Sequence, residues 1–263
     1  MSGTLAEELL VIARGAARAG ALILDDSVGA HVSVTAKSEL GDVVTDVDRR
    51  AERTIRSYIN ARRPDDAITG EEYDATGDGA ATYRWSIDPL DGTSNFVAGI
   101  PYFGSSVAVQ ETASGSWVAG AVNAPALRQE YYARAGAGAW LTSRGSTVNL
   151  AGADTSSGAI LFGTGFSYSR EMRARQFTDL PLYMEHFTDV RSVGSAALGL
   201  CMAAEGSTSA FVETDLYEFD WAAGALIAEE AGLTVVRPRS HRGGIWAHSP
   251  HVPLTILDAP HVG

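Results

Sequence analysis

The sequence predicts a mixed α and β protein built from two fused halves, residues 1–150 and 151–263, that form one compact unit. Three observations carry this. Apolar residues recur at helical spacing from the start to Ile59. Short apolar runs broken by glycine take over at Tyr83. Beyond residue 150, strand-like pieces alternate with helical ones.

Thr4 and Glu7 have the spacing of a capping box, and Leu5, Leu9, Ile12, Ala16, Ala19 and Ile23 follow at helical intervals, so the chain opens with a long amphipathic helix. A second helix starts at Thr45 or Asp46 and runs towards Ile59, with Val47, Ala51, Ile55 and Tyr58 as its apolar stripe and Pro64 beyond its end. Residues 75–81, rich in glycine and small side chains, read as a mobile surface loop. Antiparallel strands are expected over 103–109, 117–122 and 130–133. In the second half, strands over 159–162, 210–213 and 233–236 alternate with helices over 170–177, 195–204 and 220–231.

A chain of 263 residues, 45% apolar and 20% charged, buries its own core without a partner. A formal net charge of −12 excludes a nucleic-acid surface, which needs clustered cations. The same acidity suits anionic chemistry if divalent cations sit among the carboxylates. Lys37 is the only lysine and Cys201 the only cysteine, so no intrachain disulfide forms and a reducing cytoplasm is expected. Glu7 and Glu8 stand where a secretory signal carries positive charge, and no segment is long and apolar enough to span a bilayer. Cys201, among Leu198, Leu200 and Met202, reads as a buried structural thiol, and Met172, Met184 and Met202 as core residues. His241, His248 and His251 read as scattered surface histidines.

The most informative segment runs over 85–96. An apolar strand, Trp85-Ser86-Ile87, leads into Asp88-Pro89-Leu90-Asp91-Gly92-Thr93. Pro89 cannot donate to a sheet ladder, so the strand should end there and present both aspartates on a rigid turn. Asp88, Asp91 and the Leu90 carbonyl are hard oxygen donors of the kind magnesium takes, leaving room for a phosphate. A solvated Asp-Pro-x-Asp-Gly turn is the alternative. Asp46, Asp48 and Asp220, taken singly, are also explained as helix-start acids, and Glu71 as an exposed loop carboxylate.

Together, Asp42-Val43-Val44-Thr45-x-x-Asp48, Gly70-Glu71-Glu72, the 85–96 segment and Asp220-Trp221-Ala222-Ala223-Gly224, continued by Glu230-Ala231-Gly232, resemble the inositol monophosphatase family. Residues 191–197 are similar to a further family segment, and the matches run in the family's order from Lys37 to Gly232. The resemblance implies a layered sandwich of alternating helix and sheet layers with the site between its halves. It carries magnesium ligation, roughly two or three ions, onto Glu71, Asp88, Leu90, Asp91 and Asp220. The first half would thus hold most of the ligands, and the second half the last one and the substrate contacts.

By the same resemblance Glu71 and Thr93 position and deprotonate a metal-activated water for in-line attack on phosphorus, and Asp48 orients Thr93. Gly92, Thr93 and Ser94 would bind the phosphate. Asp91, Gly194, Ser195, Ala196, Glu213 and Asp220 would meet the alcohol, with Glu213 suited to a polyol. Lys37 takes the flexible-loop lysine position. The implied substrate is a small phosphate ester, inositol monophosphate first. Histidinol phosphate is the runner-up, followed by fructose 1,6-bisphosphate, nucleotide phosphates and a catalytically silent regulator. Lithium sensitivity and a homodimer are implied as well. Phe219, preceded by Glu218, replaces the family's tryptophan, and the short, proline- and histidine-rich segment beyond Arg237 is expected to lack the usual final helix.

Overall fold

The computed structural model describes residues 2–29, 34–36, 43–77, 79–153, 160–239 and 242–252. Helix α1 (Ser2–Asp25) starts two residues ahead of its expected cap, and α2 (Asp46–Asn60) starts as expected. Thr45 caps α2 by accepting the Val47 and Asp48 N–H groups, while the Asp48 carboxylate accepts the Thr45 N–H, satisfying donors that a helix start leaves unpaired. The short strands β1 (Val34–Ala36) and β2 (Val43–Thr45) pair antiparallel just before it.

Seven strands follow in one sheet: β3 (Ala67–Gly70), β4 (Tyr83–Asp91), β5 (Gly104–Glu111), β6 (Ser116–Ala124), β7 (Gln129–Arg134), β8 (Gly138–Ser143) and β9 (Ser146–Asn149), in sequential order. β3 runs parallel to β4, and every other pair is antiparallel. A single turn of helix, α3 (Thr93–Ala98), follows β4. The apolar stripes of α1 and α2 cover one face of this sheet. Leu9, Ile12, Ile55 and Ile59 pack there on Trp85, Ile87, Val107 and Ala121, all essentially removed from water.

The second sheet has the order β11 (Asp189–Ser192), β10 (Leu161–Thr164), β12 (Ala210–Tyr217), β14 (Arg242–His248), β13 (Thr234–Val236). Helices α5 (Ala196–Glu205) and α6 (Glu218–Glu230) lie between the two sheets. Their small side chains let both sheets approach: a side chain at Gly120 on β6 would press on the Ala223 backbone of α6. Cys201 is buried there, as expected. Helix α4 (Arg170–Met184) covers the outer face of the second sheet, where Phe162, Val212 and Trp246 meet Tyr183 and Phe187. The layers therefore alternate helix, sheet, helix, sheet, helix.

Several elements depart from the sequence reading. α4 continues past Phe177 and through Pro181, because its last turn carries Tyr183 onto Phe162, with ring centroids 5.0 Å apart. That packing offsets the missing proline N–H. Within 75–81, Thr76 exchanges two backbone hydrogen bonds of 2.9 Å with Ile68, so part of the segment is tied to β3. β14 was not expected; only Ile245, Trp246 and Ala247 signal it amid glycine and arginine, yet it is a central strand. It buries His248, whose ring nitrogen Nδ1 lies 2.9 Å from the Ser249 carbonyl, so this histidine is not at the surface. His251 is exposed, and His241 lies outside the described residues. The three methionines are half-buried rather than core, and Met172 lines a cleft.

Candidate active site

β4 reaches the cleft by breaking its register. Ile87 is paired on both sides, to Gly70 of β3 and Val107 of β5. β3 then stops, and after Asp88 opposite Ser106 β4 meets β5 again only at Asp91 opposite Gly104, so Pro89 and Leu90 face a single residue of the partner. The expected stop at Pro89 is thus a bulge: the residue without an N–H sits where no ladder bond is made. Asp88 accepts the Leu90 N–H at 3.0 Å. Gly92 then turns the chain at φ 92°, and a side chain there would press on the Tyr102 carbonyl, so glycine is required by both angle and space. α3 begins at the next residue.

Thr93 ties this turn to α2. Its hydroxyl lies 3.1 Å from Asp48 Oδ1 and 3.0 Å from the Leu90 carbonyl oxygen, both acceptors. Asp48 is fully buried, and burial raises its carboxyl above the usual range despite the Thr45 donors. Glu71, one residue past β3, lines the same cleft.

The second half brings three fastenings. Asp91 reaches the start of α5, accepting the Ser195 hydroxyl at 2.5 Å and the Ala197 and Ala196 N–H groups at 2.7 and 3.3 Å. Asn95 Nδ2 donates to Tyr102 and Val193 carbonyls, both at 2.7 Å, pinning the β4 turn to the loop before α5. Arg84 of β4 makes a two-pronged pair with Glu218, at 2.5 and 2.9 Å, at the start of α6. Asp220 stands two residues on, accepting the Tyr217 N–H at 2.6 Å. Glu218, which precedes the Phe219 that departs from the family pattern, is therefore the anchor of the helix that carries Asp220.

These parts enclose a cleft of about 1120 Å³ lined by Glu71, Asp88, Leu90, Asp91, Gly92, Thr93 and Ser94 on one side and Gly194, Ala196, Glu213 and Asp220 on the other. Ser195 does not line it. Its hydroxyl is committed to Asp91 and to the Leu198 N–H, which makes it a support for Asp91 rather than a group facing a ligand. Lys37 and Asp42 lie outside the described residues. The outer cleft holds residues the sequence reading did not single out as site residues: Phe166, Tyr168, Asp215 and Arg242, with Tyr217 stacked on Phe219 at 5.5 Å. β12 breaks register between Glu213 and Leu216, and Asp215 sits in that break at φ 72°, held by Arg242 at 2.6 Å and the Ser167 hydroxyl at 2.5 Å. The one signal in sequence was the nearness of Asp215 to Glu213.

Electrostatics set the character of the cleft. Burial, followed by repulsion from Glu71, Asp91 and Asp220, pushes Asp88 well above the usual carboxylate range. Burial and repulsion from Glu71 and Asp91 do the same to Asp220. Burial lifts Asp91 to about 6 against the pull of its Ser195 and α5 donors. Glu213 rises to about 8 through burial and the nearby Asp91. Among the described residues the lining holds one cationic side chain, Arg242, and it faces Asp215. Four mutually repelling carboxylates and a carbonyl oxygen are the donor set of a hard divalent cation, so the residues fit one. As placed, no three such side chains among the described residues stand close enough to enclose an ion; Asp91 accepts from the Ser195 hydroxyl and the Ala197 N–H, and one Asp220 oxygen accepts the Tyr217 N–H.

The model of the inositol monophosphatase family matches residues 5–257. The inositol-1-monophosphatase SuhB of Mycobacterium tuberculosis is 43% identical over 237 residues, covering 86% of this chain and 81% of that protein. The Nus factor SuhB of Pseudomonas aeruginosa is 38% identical, with coverages of 86% and 84%. The crystal structure of the extragenic suppressor protein SuhB from Bartonella henselae is similar with a TM-score of 0.83 at 28% identity, covering 93% of this chain and 95% of that one. A match over nearly the whole length, together with relatives this similar, has one conclusion: the chain belongs to the inositol monophosphatase family.

Proposed function

We propose that the protein hydrolyses a small phosphate monoester, inositol monophosphate first, with magnesium held by Glu71, Asp88, the Leu90 carbonyl, Asp91 and Asp220. The observation that carries this is the meeting of these residues, distant in sequence, in one cleft with the Thr93–Asp48 pair. When bound, the cation supplies Lewis acidity and neutralises charge on the phosphoryl oxygens. Thr93, donating its own proton to Asp48, presents lone pairs that accept from a water, and Glu71 is the second acceptor that takes the proton as the water attacks phosphorus in line; the ester P–O bond opposite breaks, and the leaving alcohol oxygen takes a proton from solvent water. Gly92, Thr93 and Ser94 bind the phosphate at the start of α3. Asp91, Asp220, Gly194 and Ala196 border the alcohol, and Glu213 accepts its hydroxyls. Residues 1–150 thereby supply most cation ligands, and 151–263 the last ligand and the substrate contacts.

A second reading, histidinol phosphate, is favoured by the aromatic flank of Phe166, Tyr168, Tyr217 and Phe219, which suits a flat ring. A phosphate-release panel with magnesium, comparing inositol 1-phosphate, histidinol phosphate, fructose 1,6-bisphosphate and a nucleotide phosphate, separates the two. Release from none of them would overturn the hydrolase reading and favour a regulatory one, the role in the name of the Pseudomonas relative. Lithium sensitivity, a homodimer and a cytoplasmic location are proposed on family likeness, with lithium titration, light scattering and cell fractionation as their tests. Among the described residues no helix is long and apolar enough to cross a membrane.

A further inference from the structure

We propose that α2 is the template that fixes Glu71 relative to Thr93, and that the buried pair Glu52 and Arg56 is its positioning device. This rests on the water-positioning role given to Glu71 and Thr93 above. Asp48, Glu52 and Arg56 follow one another at four-residue steps, so they share one face of the helix. All three are buried: Asp48 and Glu52 completely, Arg56 to 9% exposure.

Burying a carboxylate and a guanidinium is costly, and apolar side chains of the same volume would fill the space without that cost. What the pair does with its hydrogen bonds explains it. Glu52 Oε1 accepts Arg56 Nε at 2.8 Å, and Oε2 accepts the Glu72 N–H at 2.7 Å. Arg56 extends the hold by donating to the Tyr73 carbonyl at 3.1 Å and the Thr76 hydroxyl at 3.2 Å. Gly70 lies against the Glu52 carboxylate so closely that any side chain there would collide with it. Both chain neighbours of Glu71 are thus set by one carboxylate.

The loop is closed at its far end by the Thr76 and Ile68 backbone bonds, and Arg53 adds an outer tie by donating to the Tyr73 hydroxyl at 2.5 Å. One turn nearer the start of α2, Asp48 accepts from Thr93. A helix rises about 6 Å over four residues and resists stretching. The two anchor points therefore keep a constant spacing, and Glu71 and Thr93 are carried with them.

The test uses the full chain with magnesium and inositol 1-phosphate, with E71Q as control. Glu52→Gln sets an amide donor against either Arg56 Nε or the Glu72 N–H. It should lower kcat by about 10- to 100-fold, leave KM within about 3-fold, and speed amide exchange at Glu72 and Tyr73 while the middle of α2 keeps its protection. The double variant Glu52→Leu with Arg56→Met preserves volume and removes the buried charges. It should hold or raise Tm and still lose kcat to the same degree, which a purely structural role does not allow. If E52Q does not fold, the double variant decides. Wild-type kcat in the double variant, or unchanged exchange at 72–73 in a folded variant, overturns the proposal. E71Q turning over at the wild-type rate would instead overturn the role given to Glu71, while faster exchange at 72–73 would still report the clamp.

Discussion

Strand β4 breaks register between Asp88 and Asp91, and strand β12 between Glu213 and Leu216, so each of the two sheets sends carboxylates into the cleft through a bulge. The carboxylates differ in what holds them. Asp88 and Asp91 take backbone N–H groups, of Leu90 and of Ala196 and Ala197, with Ser195 as the added hydroxyl. In β12, Asp215 is held by the side chains of Arg242 and Ser167, and none of the hydrogen bonds described among these residues involves the Glu213 carboxylate. Backbone donors stay in place whatever side chains surround them, whereas side-chain partners change with any substitution. On the function proposed above, the first bulge has a constant task, holding a cation, and the second an adjustable one, meeting the leaving group.

The sharpest way to break this comparison is Asp91→Asn. An amide is a poorer ligand for a hard cation, and turnover should fall by more than about 100-fold in a folded protein. Normal magnesium-dependent phosphate release by this variant would remove Asp91 from the ligand set. Next comes Glu213→Gln, expected to cost about 1 to 3 kcal/mol in kcat/KM for inositol phosphate and much less for an ester without those hydroxyls. Equal losses on both esters, or a wild-type preference for histidinol phosphate, would transfer the second bulge to the alternative substrate. Arg242→Met should be milder still. It frees Asp215, held at φ 72°, and a looser Glu213 should raise KM by about 3- to 10-fold with little change in kcat. A fall in kcat alone would show that the bulge acts on the chemistry.

The smallest effect is on stability against pH. Asp91 and Glu213 are raised to about 6 and about 8, so the ion-free folded state binds more protons than the unfolded chain between the ordinary carboxylate range and those values. Their contribution is fully present below about pH 4 and is lost as pH rises, first through about 6 and then through about 8. With a chelator present, Tm should drop by about a few degrees between pH 5 and pH 9. Magnesium should restore it, and E213Q should flatten the upper part of the slope, to which Asp88 and Asp220 also contribute in the same direction. A Tm that is flat or climbs over this range would contradict the burial of both groups.

The legible parts of the site were those whose bonds are local or whose acids fall in a fixed pattern. The 85–96 segment announced its turn through Pro89 and Gly92, and α2 its start through Thr45 and Asp48. What stayed hidden depends on partners far along the chain. The apolar stripe of α2 was visible in Val47, Ala51 and Ile55, but nothing in the sequence marked Glu52 and Arg56, whose hydrogen bonds reach backbone groups in another segment. Asp215 and Arg242 pair across 27 positions, and β14 carries too short an apolar run to declare a central strand. Ser195 was read as a substrate contact because its place in the segment was right, although its hydroxyl is turned inward to Asp91.

Helix α6 carries Asp220 in its first turn and Glu230 as its last residue, and Glu230 accepts three successive N–H groups, of Gly136, Ala137 and Gly138, at 2.7, 3.1 and 2.8 Å in the turn between β7 and β8. The 13-residue helix is about 20 Å long, so that remote hairpin and the cleft are the two ends of one strut. The tip of the hairpin between β5 and β6 is looser by contrast: the Thr112 N–H donates to the Thr82 carbonyl at 3.0 Å, and beyond it Ser114 bonds to Glu111 within the turn. For anyone grafting an epitope, a fluorophore or a circular-permutation cut onto this scaffold, the two hairpins are not equivalent. Residues 113–115 accept cargo as a loose tip, while residues 136–138 are a mounting point whose disturbance travels along α6 to the cleft.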